Sequence, residues 1–315
     1  MDEELLKQIL TTLGLSEIRN DSNATAALTR QLEHIRTKDY DVLYANLKAR
    51  LFIPVSNEAD PGAESIIARS WNHTGMAEII ANYADDLPLV DAFVSETPVK
   101  VQTLGSAFIY TLLDLRRAAK AQSDLDSRRA GAARLAVERK LDRIAAIGDA
   151  PSGLRGFVNH PNVPLVSLPN GSWATATADE IQEDMAFLVQ SIVTNSMEVH
   201  APDSLLLDTA SFMIINQKPI GVDNKQTILK SFLENNPYIK NIDQWTRLNL
   251  ANAAGDGPRI VAYQRDPMMV ELDIPMEFEQ LPPQARNMAF VVACWLRTAG
   301  VTFHYPLSAA YSDDI

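Results

Sequence analysis

The chain has 315 residues, of which 46% are hydrophobic and 22% charged, and its 40 acidic against 28 basic side chains give a formal net charge of −12. A chain of this length buries roughly three quarters of its unfolded surface, so it can form a core without staples, and its evenly spread apolar residues exclude disorder for most of it. The acidic charge argues against a protein that grips nucleic-acid phosphates, because such a protein needs a basic surface.

A single cysteine, Cys294, lies in the apolar run 289–296 and excludes an internal disulfide framework. It is predicted to be a buried thiol that packs as a small hydrophobic group. The acidic start of the chain predicts no secretory signal, and no apolar stretch reaches the roughly 18 residues that a bilayer span needs. We therefore expect a protein of a cytoplasm-like compartment without a membrane partner.

The first 50 residues are predicted to be helical. Leu5, Ile9 and Leu13 follow helical spacing, and Gly14 marks a stop. Polar residues 21–23 offer caps for a second helix. Because no long-range core pattern links these helices to the rest, they are predicted to form an arm.

Two extended segments follow the arm. Residues 64–71 are strand-like, and residues 99–103 alternate with the two-residue period of a strand. A polar connection, 75–89, separates them, so the pattern predicts a long two-stranded projection. Pro98 indicates an edge strand, since proline cannot donate to a ladder.

Residues 107–147 are predicted to form two helices, 108–120 and 123–147. The second is on the order of 35 Å long, and its apolar stripe consists of Ala130, Ala133, Val137, Leu141, Ile144 and Ala145. Basic residues between 128 and 143 alternate with Glu138 and Asp142, which predicts a solvated or salt-bridged helix face. Gly148 ends the helix. The glycine-containing loop 148–161 follows a helix rather than preceding one, which argues against a phosphate site.

Residues 165–255 read as a compact α/β subdomain. Thr177 and Glu180 form a capping box that opens a helix. A buried strand at 205–207, a short helix at 227–235 and a strand at 243–250 follow. Beyond it, 260–263 and 268–272 are predicted to form a hairpin, and 288–297 pairs with 301–305 as a second extended pair.

No residue pattern points to catalysis. The five histidines His34, His73, His160, His200 and His304 lack metal-ligand spacing. His200, Asp203 and Ser204 lie close in sequence, but a catalytic triad is assembled in space from separate elements. The acidic pairs 85–86 and 313–314 are predicted to be solvated loop charges, and Asp203 and Asp208 to flank a strand for structural reasons. We therefore predict no catalytic, cofactor-binding or metal residues and no cofactor.

The order of these pieces resembles the major capsid proteins of tailed bacteriophages. The matching stretches are 63–71, 97–115, 137–149, 153–161, 262–267 and 300–306. The resemblance implies an α+β fold, the Johnson or Hong Kong 97-like fold, which encapsulin shells share. It is carried by the order of the stretches along most of 50–315 rather than by any one of them.

The resemblance also implies a division of the chain. Its parts are an N-terminal helical arm along neighbouring subunits (1–50), an extended loop with flanking strands over the adjacent subunit (51–105), a peripheral domain with the long spine helix (106–164), an axial domain at five-fold and six-fold centres (165–255), and a return to the peripheral domain (256–315).

A capsid role implies particular partners. Copies of the chain would form pentamers and hexamers of an icosahedral head shell, in the virion, after assembly in the cytoplasm of a bacterial host. With strands beginning near Leu51, a long scaffolding segment is expected to be absent, so a separate scaffolding protein, or none, would serve, together with a portal and a decoration protein. An acidic subunit would enclose double-stranded DNA without sequence-specific contact. No residues are predicted for covalent cross-linking.

Two alternatives remain open on the sequence. The same fold could form an encapsulin-like nanocompartment around an enzyme cargo, which a neighbouring ferritin-like or peroxidase gene would favour. The chain could instead be an uncharacterised intracellular α/β enzyme, which would need a concave polar pocket.

Overall fold

The computed structural model describes residues 46–77, 89–114, 125–221, 226–251, 257–313 and 315. The chain divides into two compact units, Met1–Asn46 and Leu47–Ile315, and the description below concerns the second. The predicted arm helices and the acidic pair 85–86 lie outside the described residues.

A two-stranded antiparallel ribbon, here called the hairpin, confirms the predicted projection. Its strands are β2 (Ser65–Thr74) and β3 (Asp91–Lys100), ten residues each and paired along their full length. A short helix α1 (Ala49–Phe52) and strand β1 (Val55–Ser56) precede it. Pro98 lies opposite Ile67, and in a two-stranded ribbon both strands are edges, as the proline indicated.

The predicted helix at 108–120 is wrong at its start. Strand β4 (Gln102–Thr111) continues through this region and pairs with β13 (Ala289–Thr298) over all ten residues. Phe108 and Tyr110 are buried while Ile109 and Thr111 are exposed, which is the two-residue period of a strand. Pairing with a distant apolar strand outweighs the local helical tendency.

Helix α2 (Leu125–Ile147) is the predicted spine. The stripe residues Ala133, Val137, Leu141, Ile144 and Ala145 are buried. The helix ends at Gly148, whose φ of 80° lies in the left-handed region. A Cβ there would stand 2.5 Å from the carbonyl oxygen of Leu154, so both the conformation and the space require glycine.

The loop after the spine helix uses its backbone amides to bond the last carbonyls of that helix. The backbone amides of Phe157 and Val158 donate to the carbonyls of Ala145 (2.8 Å) and Ala146 (2.9 Å). Two very short strands, β5 (Gly148–Asp149) and β6 (Leu154–Arg155), pair across the turn. These amides therefore satisfy helix carbonyls, in line with the argument against a phosphate loop.

The α/β part contains helices α3 (Ala178–Asn195), α4 (Thr209–Gln217) and α5 (Ile228–Asn235) and strands β7 (Ser204–Leu207) and β8 (Asn241–Gln244). The capping box at Thr177 and Glu180 is present, and β7 is buried throughout. The predicted strand 243–250 is wrong in its second half, where Thr246–Leu250 is a 3-10 helix. Helix α4 was not predicted.

Two predicted pairings near the C-terminus are wrong, although the segments are extended. Strand β9 (Ile260–Tyr263) lies between β7 and β15 (Ala309–Ser312), whereas β10 (Val270–Asp273) lies between β1 and β14 (Gly300–Phe303). Strand β13 pairs with β4 and with two short strands, β11 (Met276–Gln280) and β12 (Gln284–Arg286), and not with β14. Gly300, with φ of 80°, turns the chain from one sheet into the other.

The sheet of the α/β part has the order β15-β9-β7-β8. It therefore combines strands from both sides of residue 255, the predicted end of the axial domain. A second core lies around Phe157, whose ring centroid is 4.9 Å from that of Tyr263 and 5.6 Å from that of Phe303. The five-part division of the chain stays a prediction.

Candidate assembly surface

Metal ligation and thiol reactivity depend on where the described residues place their side chains. Among them, no three His, Cys, Asp or Glu side chains stand where they could hold a metal ion. Cys294 is buried, and burial raises the pKa of its thiol, which disfavours a reactive thiolate. Within the same part of the chain, no helix is long and apolar enough to cross a membrane.

The sequence cluster of His200, Asp203 and Ser204 is not a triad. The His200 ring packs against Tyr305, with centroids 5.5 Å apart. Asp203 Oδ1 instead accepts hydrogen bonds from Ser204 Oγ (3.0 Å) and from the backbone amide of Arg265 (2.8 Å). Asp203 therefore holds a loop in place, consistent with its predicted structural role.

Two of the other acidic residues singled out by the sequence, Asp208 and Asp313, also have structural partners, whereas Asp314 lies outside the described residues. Asp208 Oδ2 accepts from the amides of Ala210 (2.9 Å) and Ser211 (3.2 Å) and so caps α4. Asp313 was predicted to be a solvated loop charge, and this is wrong. Its two carboxylate oxygens accept from the guanidinium of the buried Arg259, at 2.6 and 2.8 Å.

The hairpin carries large apolar side chains that are exposed on its surface. Directly opposite residues of an antiparallel pair share a face, so the register places on one face, here called the apolar face, Ile67, Arg69, Trp71, His73, Ala92, Val94, Glu96 and Pro98. Trp71 is 64% exposed, Ile67 50% and Val94 45%. Arg69 Nε donates to Glu96 Oε1 (2.8 Å), which places one ion pair among these apolar side chains.

A two-stranded ribbon with exposed apolar side chains is expected to need contacts beyond itself. An isolated two-stranded hairpin is marginal in water, and contiguous exposed apolar side chains mark interaction sites. The apolar face is therefore suited to contact another protein surface. In the sequence, only the strand-like character of 64–71 signalled this surface.

The base of the opposite face of the hairpin turns toward the body of the molecule, whereas farther out this face is exposed, with Phe93 57% exposed. Ile66, Ala68 and Val99 on it are half-buried, in contrast to their neighbour Ile67. A groove of about 590 Å³ lies on this side, with Glu271, Thr302 and His304 in its opposite wall. The hairpin thus presents one face outward, and the base of its second face borders this groove.

The groove wall contains titratable groups with shifted pKa values. His304 Nε2 lies 2.8 Å from Glu271 Oε1, and this hydrogen bond raises the pKa of His304. Asp273, next to the groove, accepts from Thr302 Oγ1 (2.8 Å) and is only 4% exposed. Burial raises its pKa to about 6.

The raised pKa of Asp273 makes a pH-dependent prediction. Between about pH 4 and 6 the folded chain keeps a proton that the unfolded chain releases, so its free energy of unfolding falls as the pH rises through this window. Asp273→Asn stays neutral and should gain on the order of 2 kcal/mol over the parent at pH 7.5. Denaturant titration of unassembled subunits at pH 7.5 and near pH 4 measures the gain, which should vanish at the lower pH.

A second buried titratable group, His160, changes the stability in the opposite direction to Asp273. Burial, followed by the charge of Arg155, lowers the pKa of His160 to about 4. The contribution of His160 to the free energy of unfolding therefore decreases as the pH falls below about 6.5. Glu64→Gln, at an exposed carboxylate, is the matched control and should change stability by less than about 0.5 kcal/mol at either pH. A gain from Asp273→Asn that is equal at both pH values would contradict the prediction.

The polar side of the spine helix is salt-bridged, which is one of the two possibilities, solvated or salt-bridged, that the sequence predicts. Asp142, 4% exposed, accepts from Arg247 Nε (3.0 Å) and Nη2 (2.9 Å) and from the amide of Ala49 (3.1 Å). Arg50 bonds both Glu138 (3.3 Å) and Glu277 (2.7 Å). These ion pairs join the segment before the hairpin to the spine and to the 3-10 helix.

The comparisons with known proteins agree on one kind of protein. A family model described as major capsid protein matches residues 75–315, and no curated protein sequence matches. The capsid of Myoviridae phage XM1 has a similar structure, with a TM-score of 0.79 and 17% identity over 91% of this chain and 98% of that one.

Two further solved structures have the same fold. For Mycobacterium phage Bobi the TM-score is 0.62 and the identity 12%, over 93% of this chain and 98% of that one. For the capsid of an empty GTA particle the TM-score is 0.64 and the identity 12%, over the same shares of 93% and 98%. The predicted α+β tailed-phage capsid fold is confirmed.

Proposed function

Because the chain belongs to the major capsid protein family, we propose that its copies assemble into pentamers and hexamers, which form an icosahedral head shell around double-stranded phage DNA. Each subunit acts as a structural element and not as a catalyst. The observation that carries the assembly step is the apolar face of the hairpin, on which Trp71 is 64% exposed. In the shell this face lies against an adjacent subunit, where its burial stabilises the contact.

The charge of the chain supports the way in which the DNA is held. With a net charge of −12, the subunit as a whole repels phosphate, so packaged DNA is confined without sequence-specific contact. A separate scaffolding protein, a portal and a decoration protein complete the particle. The subunits assemble in the cytoplasm of the bacterial host and remain in the virion.

An encapsulin-like shell around an enzyme cargo is the alternative within this fold. The two differ in what the particle contains, so the ratio of absorbance at 260 and 280 nm of purified particles separates them. Nucleic acid inside the particle supports a phage head, and a protein cargo supports the alternative.

The hairpin provides the test of assembly. The double variant Trp71→Ser/Val94→Ser removes two neighbouring apolar side chains that lie opposite each other, and we expect the yield of megadalton particles to fall about ten-fold or more, since buried aromatic anchors dominate interfaces. Light scattering and negative-stain microscopy, with any scaffolding partner present, measure the yield. The circular dichroism spectrum of the subunit should not change.

The matched control lies at the neighbouring position of the same ribbon. Ser70 and Ser95 are also directly opposite each other but on the other face, so Ser70→Ala/Ser95→Ala should assemble normally. A chain without Ser65–Lys100 provides a second variant, because the Val101 amide already lies 2.9 Å from the Glu64 carbonyl oxygen and a short linker can join the ends. Normal shells from that chain would refute the proposed role of the hairpin.

A further inference from the structure

The two strands of the hairpin leave the body in different ways. Strand β3 runs into β4 with only Val101 between them, and Val101 is buried. The chain thus changes partner at this residue, from β2 on one side to β13 on the other. This side of the hairpin is fixed by strand continuity.

The other side of the hairpin is connected through an exposed turn. The last paired residue of β1 is Ser56, and β2 begins only at Ser65. Between them, the Ala63 amide donates to the Asp60 carbonyl (2.9 Å) and the Gly62 amide to Asp60 Oδ1 (2.6 Å). These local bonds define a turn at 60–63, here called the base turn, but they do not attach it to the body.

Arg297, on β13, makes that attachment. Its Nη1 donates to the carbonyl oxygen of Pro61, and its Nη2 donates to that of Ala63 at 2.7 Å. Its Nε is buried without a hydrogen-bond partner among the described residues. No carboxylate in that part of the chain pairs with Arg297, so both of its polar contacts go to the base turn.

We propose that Arg297 is the positioning residue of the hairpin: its guanidinium holds two carbonyls of the base turn on β13 and so sets the direction in which the hairpin leaves the body. A planar guanidinium presents its donors as a fixed fork, whereas an ammonium cannot hold two carbonyls in one plane. The consequence for assembly rests on the proposed function, because direction matters only if the hairpin must reach an adjacent subunit.

Hydrogen–deuterium exchange of the full-length, unassembled chain tests the positioning role. In Arg297→Ala we expect the amides of Ala63 and Val101 to exchange about ten-fold faster than in the parent, and in Arg297→Lys by an intermediate factor, because local opening is governed by the contacts that close it. Amides of α3 should exchange at the parental rate. Arg286→Ala is the matched control, since Arg286 lies on β12 of the same sheet, exposed and paired with Ala289 of β13.

Assembly of the same variants completes the test. Folded Arg297→Ala subunits should give at least about ten-fold fewer regular shells, with partial recovery in Arg297→Lys and normal yield in Arg286→Ala. Parental exchange at Ala63 and Val101 in Arg297→Ala would overturn the proposal, and so would loosened exchange with a normal yield of shells. If Arg297→Ala does not fold, Arg297→Gln, which keeps one amide donor group, is judged by the same criteria. Shells from the chain without Ser65–Lys100 would instead refute the proposed role of the hairpin in assembly.

Discussion

Arg259→Met should lower the free energy of unfolding by about 3–5 kcal/mol, the usual cost of removing one partner of a buried ion pair. Arg259 is 4% exposed and bonds both oxygens of Asp313, at 2.6 and 2.8 Å. Its Nη1 also donates to the Val158 carbonyl (2.6 Å), and its guanidinium lies 4.9 Å from the ring centroid of Tyr311. The arginine therefore joins the last strand to the loop after the spine helix.

The loss should come from the carboxylate and carbonyl that Arg259 leaves behind in a poorly solvated site. Methionine retains much of the apolar volume, so the variant removes charge more than packing. Denaturant titration of unassembled subunits measures the change. Arg259→Met/Asp313→Leu removes both charges and should recover part of the loss, because a buried pair is often replaceable as a whole.

An exposed ion pair gives the control. Lys230 Nζ and Glu234 Oε1 are 3.7 Å apart on α5, with side chains 69% and 55% exposed. Lys230→Met should cost less than about 0.5 kcal/mol. Equal losses from Arg259→Met and Lys230→Met would show that burial does not set the value of the Arg259 pair.

The elements that the sequence predicted correctly are those with a strong local pattern. The spine helix follows its stripe from Ala133 to Ala145, and the capping box at Thr177 marks the start of α3. The end of strand β4, from Phe108 to Thr111, was mistaken for a helix because its identity depends on β13, a segment more than 170 residues away in the sequence. Local pattern carries no information about such a partner.

The same distinction explains the pairings near the C-terminus. Strands β9 and β10 are separated by only six residues, 264–269, and look like the arms of one hairpin, yet they belong to different sheets. Each strand is central in its sheet, with a neighbour on both sides. Consecutive strands usually pair, and here that tendency is overridden by partners from β1, β7, β14 and β15.

The surface for assembly was predictable in outline but not in its support. The strand-like segment that ends at Trp71, the alternation at 99–103 and the proline at 98 indicated a projecting ribbon. Nothing local marked Arg297, whose partner Pro61 is 236 residues away, or Arg259, whose partner Asp313 is 54 residues away and looked like a solvated charge. Arginines of this kind are recognised only once the fold brings their acceptors together.

Leu141→Asp on the spine helix should have an effect at least as large as that of Arg259→Met. Leu141 is 1% exposed and belongs to the core cluster that also contains Phe52, Phe157 and Tyr263. The substitution removes a large apolar side chain and places a carboxylate in the cavity without a partner. The two costs add to about 4 kcal/mol or more, which is a large part of the stability of an ordinary domain. We expect most of the protein in the insoluble fraction after expression.

A carboxylate on the exposed side of the same helix separates burial from helix propensity. Ala136 is exposed, and Ala136→Asp adds the same group to the same helix, so it should cost less than about 1 kcal/mol and leave the protein soluble. Soluble fraction and thermal denaturation compare the two variants. A soluble Leu141→Asp subunit that still assembles would mean that this face of the spine helix is not packed in the core. Of these two positions, we expect the large loss only at Leu141. There the carboxylate displaces contacts that connect the spine helix to the segment before the hairpin and to the segment after the helix.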